Sequence, residues 1–181
     1  MAYDPLFDGE FFQIAYVVED LDAAMHHWIE TMGVGPFFTF PMPLTFDWLK
    51  VNEQLTEKTD VLSGVALAQH GALQIELLSP GPDPSPYRDF LDAGREGMHH
   101  VGIYAKDYDA EMAKVRERGV EVAIEGELPL SRFSYVRTDE VFAGTMVELI
   151  DAKQEMRDLY QMITDASIGW DGSDPIRKLG G

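Results

Sequence analysis

One imidazole, two carboxylates and one amide oxygen stand at matched places in the two halves of the chain: Gln13 and Glu76 in the first half, His100 and Glu148 in the second. Together they make a hard, oxygen-rich donor set. Such a set suits a single divalent cation (Mg, Mn, Co, Ni or Zn) in open, roughly octahedral geometry, with positions left for two neighbouring oxygens of a substrate. A cation held that way acts as a Lewis acid on a developing oxyanion while a nearby carboxylate accepts a carbon-bound proton.

The matching rests on an internal repeat. Gln13-Ile14-Ala15-Tyr16-Val17-Val18-Glu19-Asp20-Leu21-Asp22-Ala23-Ala24-Met25 is echoed by His100-Val101-Gly102-Ile103-Tyr104-Ala105-Lys106-Asp107-Tyr108-Asp109-Ala110-Glu111-Met112. Each copy runs a β-type stretch into an Asp suited to capping a helix and continues at helical spacing. A second echo closes each half, Leu73-Gln74-Ile75-Glu76-Leu77-Leu78 and Met146-Val147-Glu148-Leu149-Ile150. Gln74 shares the strand face of Glu76, so it either replaces Glu76 in the site or lines the pocket beside it. Strict alternation sends His99 and His100 to opposite faces; the repeat selects His100 and leaves His99 a structural role.

The elements that must position these groups follow in order. Strand character over 11–18, 37–40, 61–69 and 72–78 and a helix after Asp20 build the first half. Ser79-Pro80-Gly81-Pro82-Asp83-Pro84 is a linker, and Ser85-Pro86 opens a short helix that Gly94 closes. The second half repeats the order: a strand over 99–105, a helix over 107–118, and strands over 120–124, 133–138 and 145–150. One more helix is predicted over 152–166, with Met156, Leu159, Tyr160 and Ile163 on one face. The tail from Ser167 is expected to be mobile, with Trp170 as an anchor. The boundaries read as a first module over 1–80, a linker with a short helix over 81–96, a second module over 97–150, and a C-terminal helix and tail over 151–181.

Bulk properties narrow the function. With 181 residues, 45% hydrophobic and 25% charged, the chain suffices for its own core, and the absence of cysteine excludes disulfides and thiolate metal sites. A net charge of −18 opposes nucleic acid and anionic membranes as partners. Neither a signal peptide nor a run long enough to span a bilayer is visible, so a cytoplasmic location is expected. A small molecule is the expected partner, and a homodimer a candidate assembly.

These residues resemble the vicinal oxygen chelate (glyoxalase-fold) superfamily over about 10–150. In motifs they stand closest to the methylmalonyl-CoA epimerases, through Ser85-Pro86, Phe90-Leu91 and Gly97-Met98-His99-His100, and to glyoxalase I-like proteins, through the Gln, Glu, His, Glu set. The resemblance implies an α+β fold of two βαβββ modules paired into an open, cupped mixed sheet. It carries the family's metal positions onto Gln13, Glu76, His100 and Glu148, and the proton acceptor onto Glu148. The implied activity is that of a metal-dependent isomerase, epimerase or lyase working through an enolate on a small apolar or aromatic acid or ketone. Two departures stand out. The strand where the epimerases carry a basic Glu reads Phe37-Phe38-Thr39-Phe40-Pro41, leaving Asp47 as the nearest acidic substitute. Val17 stands where glyoxalase I has an Arg for glutathione. A bleomycin-resistance type of binder without catalysis is the alternative. An extradiol-type dioxygenase needs a second His that the matched positions lack. Phe38, Trp48, Gln74 and Arg137 are the expected pocket residues, with Arg88 and Arg132 as further anchors for a substrate carboxylate.

Overall fold

A computed structural model describes residues 4–138 and 145–180. The first three residues of the lead-in and Gly181 lie outside that range. The fold is α+β. The first module comprises β1 (Glu10–Val17), α1 (Leu21–Met32), β2 (Phe37–Thr39), β3 (Trp48–Val51), β4 (Gln54–Leu55), β5 (Leu62–His70) and β6 (Leu73–Pro80). After α2 (Pro86–Asp92) come β7 (Gly97–Tyr104), α3 (Tyr108–Glu117), β8 (Val122–Leu128), β9 (Ser131–Val136) and β10 (Met146–Ala152). The chain closes with α4 (Gln154–Ser167) and β11 (Ile176–Lys178).

All strands join one mixed sheet in the order β11-β2-β5-β6-β1-β7-β10-β9-β8-β3-β4. The two halves mirror each other about the antiparallel β1–β7 seam: β6 runs parallel to β1 and β10 parallel to β7, each on the outer side. The repeat accounts for this. In both copies the Asp following the first strand caps the helix, Asp20 accepting from the Ala23 amide and Asp107 from the Ala110 amide, each at 3.0 Å. Chain reversal at that point lays α1 and α3 on the same side of the sheet.

That side is packed by one parity of each strand. Ile75 and Leu77 of β6 meet Met25 of α1, while Ile103 of β7 and Val147 and Leu149 of β10 meet Met112 and Val115 of α3. The opposite, concave face takes Ala15, Val17, Leu78 and Met146 against Tyr87 and Phe90 of α2. Leu67 and Phe38 lie there against Ile163 of α4, and Ile150 against Met156. Apart from bulges in the β1–β7 pair, the interior strands thus separate convex core from concave site by alternation.

Two segments depart from the sequence expectation. The chain after β2 does not stay in its own module: residues 40–47 cross to the far edge of the sheet, where β3 pairs antiparallel with β8 and turns back as β4. The tail is not loose. β11 adds to the edge of β2 in parallel, with Ile176 opposite Phe37 and Lys178 opposite Thr39. The ring of Trp170 sits against Gly35, where a Cβ would come within 2.6 Å of it. No hydrophobic alternation marks Ile176-Arg177-Lys178, since a three-residue edge strand buries too little to need one.

Candidate metal centre

The seam between the modules gathers the four candidate ligands. Ala15 of β1 is flanked by Glu76 of β6 and His100 of β7, and Gly102 of β7 is flanked by Gln13 of β1 and Glu148 of β10. Cross-strand partners share a face, so all four side chains leave the sheet on its concave side. His100 Nε2 lies 3.2 Å from both Glu76 Oε2 and Glu148 Oε2, and the donor atoms of these three residues fall within 4.8 Å of one another. Gly102 leaves room for the amide: a Cβ there would approach Gln13 Oε1 to 2.6 Å. Gln13 Nε2 donates to Gln74 Oε1 at 2.7 Å, which fixes the amide with its oxygen left over.

Unsatisfied atoms test whether these groups fit an ion. Among the described residues, five buried side-chain atoms lack a hydrogen-bond partner: Gln13 Oε1, Glu76 Oε2, His100 Nε2, Glu148 Oε2 and Glu111 Oε2. Four are the candidate donor atoms. The fifth belongs to a carboxylate whose other oxygen accepts the Lys106 amide at the start of α3. Although His100 Nε2 is within 3.2 Å of the two carboxylate oxygens, none of these contacts has hydrogen-bond geometry. Buried polar groups are nearly always paired, so three orphans within 4.8 Å of one another, with Gln13 Oε1 unpartnered on the same face, fit a cation held by Gln13, Glu76, His100 and Glu148.

The electrostatics agree. Burial alone would lower the His100 imidazole, but the Glu148 and Glu76 carboxylates 3.2 Å away outweigh it and hold its pKa up at about 9. Burial raises the Glu148 carboxyl, against the pull of His100. Without metal, the cluster therefore retains a proton at neutral pH, and an incoming cation must expel it. We predict that the apparent affinity for zinc rises about tenfold per pH unit and levels off toward pH 9. Titration calorimetry in buffers of different ionisation enthalpy would show about one proton released per ion; an affinity independent of pH would contradict this.

The cluster forms the polar end of a cavity of about 520 Å³ on the concave face. Glu76 and Glu148 reach into it, and they are the only charged groups among its described lining residues. The rest is apolar: Phe40, Leu44 and Phe46 from the crossing segment, Val65 and Leu67 from β5, Phe133 from β9, Met156 from α4. Three tyrosines complete it, the buried Tyr87 of α2 and Tyr135 of β9 and the half-buried Tyr160 of α4. Burial first, and then the charges of Glu148 and Glu76, push all three hydroxyls well above the ordinary tyrosine range, so each stays protonated and able to donate.

None of the four expected pocket residues lines this cavity. Phe38 faces α4, packed with Ile163. Trp48 lies on β3, the last strand but one, its Nε1 donating to Glu127 at 3.1 Å, because the crossing segment carries it past the cavity. Gln74 is buried beneath Gln13 and acts on the site through it. Arg137 lies in a separate small pocket with His99, Phe90 and Arg95, 3.9 Å from Glu121. The further anchors are engaged elsewhere: Arg88 donates to the carbonyls of Pro80 and Gly81, and Arg132 to Asp109 and Asp151. Asp47 is exposed and outside the cavity.

His99 corrects the alternation rule. Ala15 pairs with His100 and the next residue, Tyr16, with Met98, so His99 is an extra residue in a β-bulge. The bulge turns its ring to the same side as His100. It lies there 5.1 Å from the Phe90 ring and 5.5 Å from the Tyr87 ring, with its Nδ1 3.0 Å from His100 Nδ1. Sequence reasoning also missed the three tyrosines. Only Tyr160 had a signal, its place on the inward face of the last helix.

A paired-module sheet with a buried chelating cluster on its seam defines the class of protein. Residues 12–130 match the model of the Glyoxalase/Bleomycin resistance protein/Dioxygenase superfamily, and the chain belongs to that superfamily. No curated protein sequence matches it. Among solved structures it is similar to methylmalonyl-CoA epimerase from Mycobacterium tuberculosis, at 21% identity and a TM-score of 0.59 over 87% of this chain and 97% of that one. The Streptomyces coelicolor epimerase in complex with 2-nitronate-propionyl-CoA gives 21% identity and 0.54 over 81% and 96%. A hypothetical protein from Bacillus halodurans C-125 gives 16% and 0.55 over 81% and 96%. At these identities the likeness concerns the fold.

Proposed function

We propose that the protein is a metal-dependent isomerase, epimerase or lyase that moves a carbon-bound proton of a small apolar ketone or hydroxy acid. The observation that carries this reading is the set of four orphaned donor atoms at the end of an otherwise apolar cavity. A divalent ion there would supply Lewis-acid stabilisation of the negative charge that develops on the substrate oxygens. Gln13 and His100 hold from the sheet, Glu76 and Glu148 from the cavity side. Glu148 takes the proton: it faces the cavity, and burial raises its basicity toward the working pH. The protonated tyrosines beside it can donate to the substrate's oxygens, and α2 and α4 wall the cavity through Tyr87, Met156 and Tyr160.

The lining argues for a substrate that is apolar and uncharged away from its chelating end. A second carboxylate, or the phosphates of a nucleotide thioester, would meet no Arg or Lys among the described lining residues. A simple binder of apolar molecules would use the same cavity. Yet burying two carboxylates costs several kcal/mol, and passive binding of an apolar guest has no use for them.

Benzoin has adjacent oxygens, an acidic C–H and apolar arms, which makes it a suitable probe. We expect the zinc-loaded protein to catalyse exchange of that proton with deuterated water and to lose the activity on chelation of the metal. Absence of exchange for benzoin and related aryl hydroxyketones and hydroxy acids, with metal bound, would overturn the catalytic reading. Phe46→Ala should weaken benzoin binding by about 1 kcal/mol or more through lost apolar contact. Trp48→Ala should leave it unchanged, and calorimetry that reversed this order would place the guest elsewhere.

A further inference from the structure

We propose that His99 is a positioning residue for the metal centre: it accepts a hydrogen bond from His100 Nδ1–H, passes its own Nε2–H to the Pro86 carbonyl, and so fixes the tautomer that leaves His100 Nε2 free to bind an ion. The two Nδ1 atoms are 3.0 Å apart in a buried contact, so one must donate and the other accept. The His99 ring also hydrogen-bonds the backbone of Pro86, and proline has no N–H; the contact is therefore ring N–H to carbonyl. With Nδ1 turned to His100, Nε2 carries that proton. A neutral imidazole protonated on Nε2 is an acceptor on Nδ1, which makes His100 the donor.

The surroundings hold His99 in that neutral form. Its ring is 2% exposed and packed among Phe90, Tyr87 and Tyr135, where a charge without a counter-ion would be costly. Arg95 and Arg137 line the same small pocket and add positive charge beside it. A ligating histidine commonly donates its second N–H to a carboxylate or carbonyl. Here the bulge supplies the acceptor from the next residue in the chain, and anchors it to the first turn of α2. The strand register thus links the module seam to the linker helix through two rings.

The hydrogen-bond chain itself rests on the two rings and Pro86; its bearing on metal binding rests on the function proposed above. Histidine nitrogen NMR separates the two. In metal-free protein at neutral pH, long-range proton–nitrogen correlations should show His99 protonated on Nε2 and bare on Nδ1. With zinc bound, His99 should keep that tautomer and His100 should carry its proton on Nδ1. A proton on His99 Nδ1 would overturn the proposal, because the remaining His100 proton would then sit on Nε2 and block it. Failure of the wild-type protein to take up zinc would remove the metal reading while leaving the His99 tautomer to be judged on its own.

Variants supply the second test. His99→Leu removes the acceptor at nearly unchanged side-chain volume, and we expect zinc affinity to fall about 10–100-fold. His99→Asn places an oxygen near the former Nδ1, and we expect it to restore most of that loss. Equal affinities in the Leu and Asn variants would show that packing alone matters and overturn the proposal. Should the Leu variant fail to fold, comparison of Asn with wild type, read together with the tautomer spectra, still decides it.

Discussion

Replacing Glu148 with Gln should leave zinc bound and slow benzoin proton exchange about 10²–10⁴-fold. The amide keeps a ligating oxygen and nearly the same volume, so the donor set persists while the basic carboxylate is gone. The burial that raises the Glu148 carboxyl is what makes it an effective proton acceptor near neutral pH. Glu76→Gln should weaken the metal more than it slows exchange once metal is saturating. Undiminished exchange in Glu148→Gln, measured with zinc in excess, would contradict the assignment. Glu76 would then be the base, since no other acid lines the cavity among the described residues and Asp47 is exposed beyond it.

The second large effect concerns stability. His100 is fully buried between two carboxylates whose side chains are 13% and 9% exposed. Removing the imidazole leaves two acids facing each other with no counter-charge, and breaking such a buried pair costs about 3–5 kcal/mol. We therefore expect metal-free His100→Ala to be destabilised by that amount at neutral pH, on top of losing metal affinity. Urea unfolding of the metal-free variant and wild type would measure it. A difference below about 1 kcal/mol would mean that the carboxylates are already neutral or relaxed apart, and that the charged triad does not exist.

How much of this was legible in the sequence depends on which physical constraint governs each residue. Alternation along strands buried on both faces is rigid, so one repeat sufficed to bring Glu76, His100 and Glu148 to one face and to cap both helices with Asp. The rule failed at His99 because a bulge adds one residue without leaving any mark in the hydrophobic pattern. The cavity wall was misjudged for a different reason. Aromatic character tells that Phe38 and Trp48 are buried or at an edge, not which side they face. The route of residues 40–47 across the cup was fixed by pairing between β3 and β8, a contact between modules distant in sequence. That same crossing put Phe40 and Phe46 over the site instead. Arg88, Arg132 and Arg137 were candidates by charge alone, and local carbonyls and acids on neighbouring elements took them. Tyr87 and Tyr135 sit on elements whose sequence shows only burial, and their role appears once the carboxylates are seen beside them.

One ion at the module seam underlies the proposed chemistry. The most direct measurement is anomalous diffraction from crystals grown with manganese or zinc, collected on either side of the metal's absorption edge. We expect a single site per chain, bonded by the Gln13 amide oxygen, the Glu76 and Glu148 carboxylates and His100 Nε2. An ion held by other residues, or no anomalous density at this cluster at saturating metal, would contradict it.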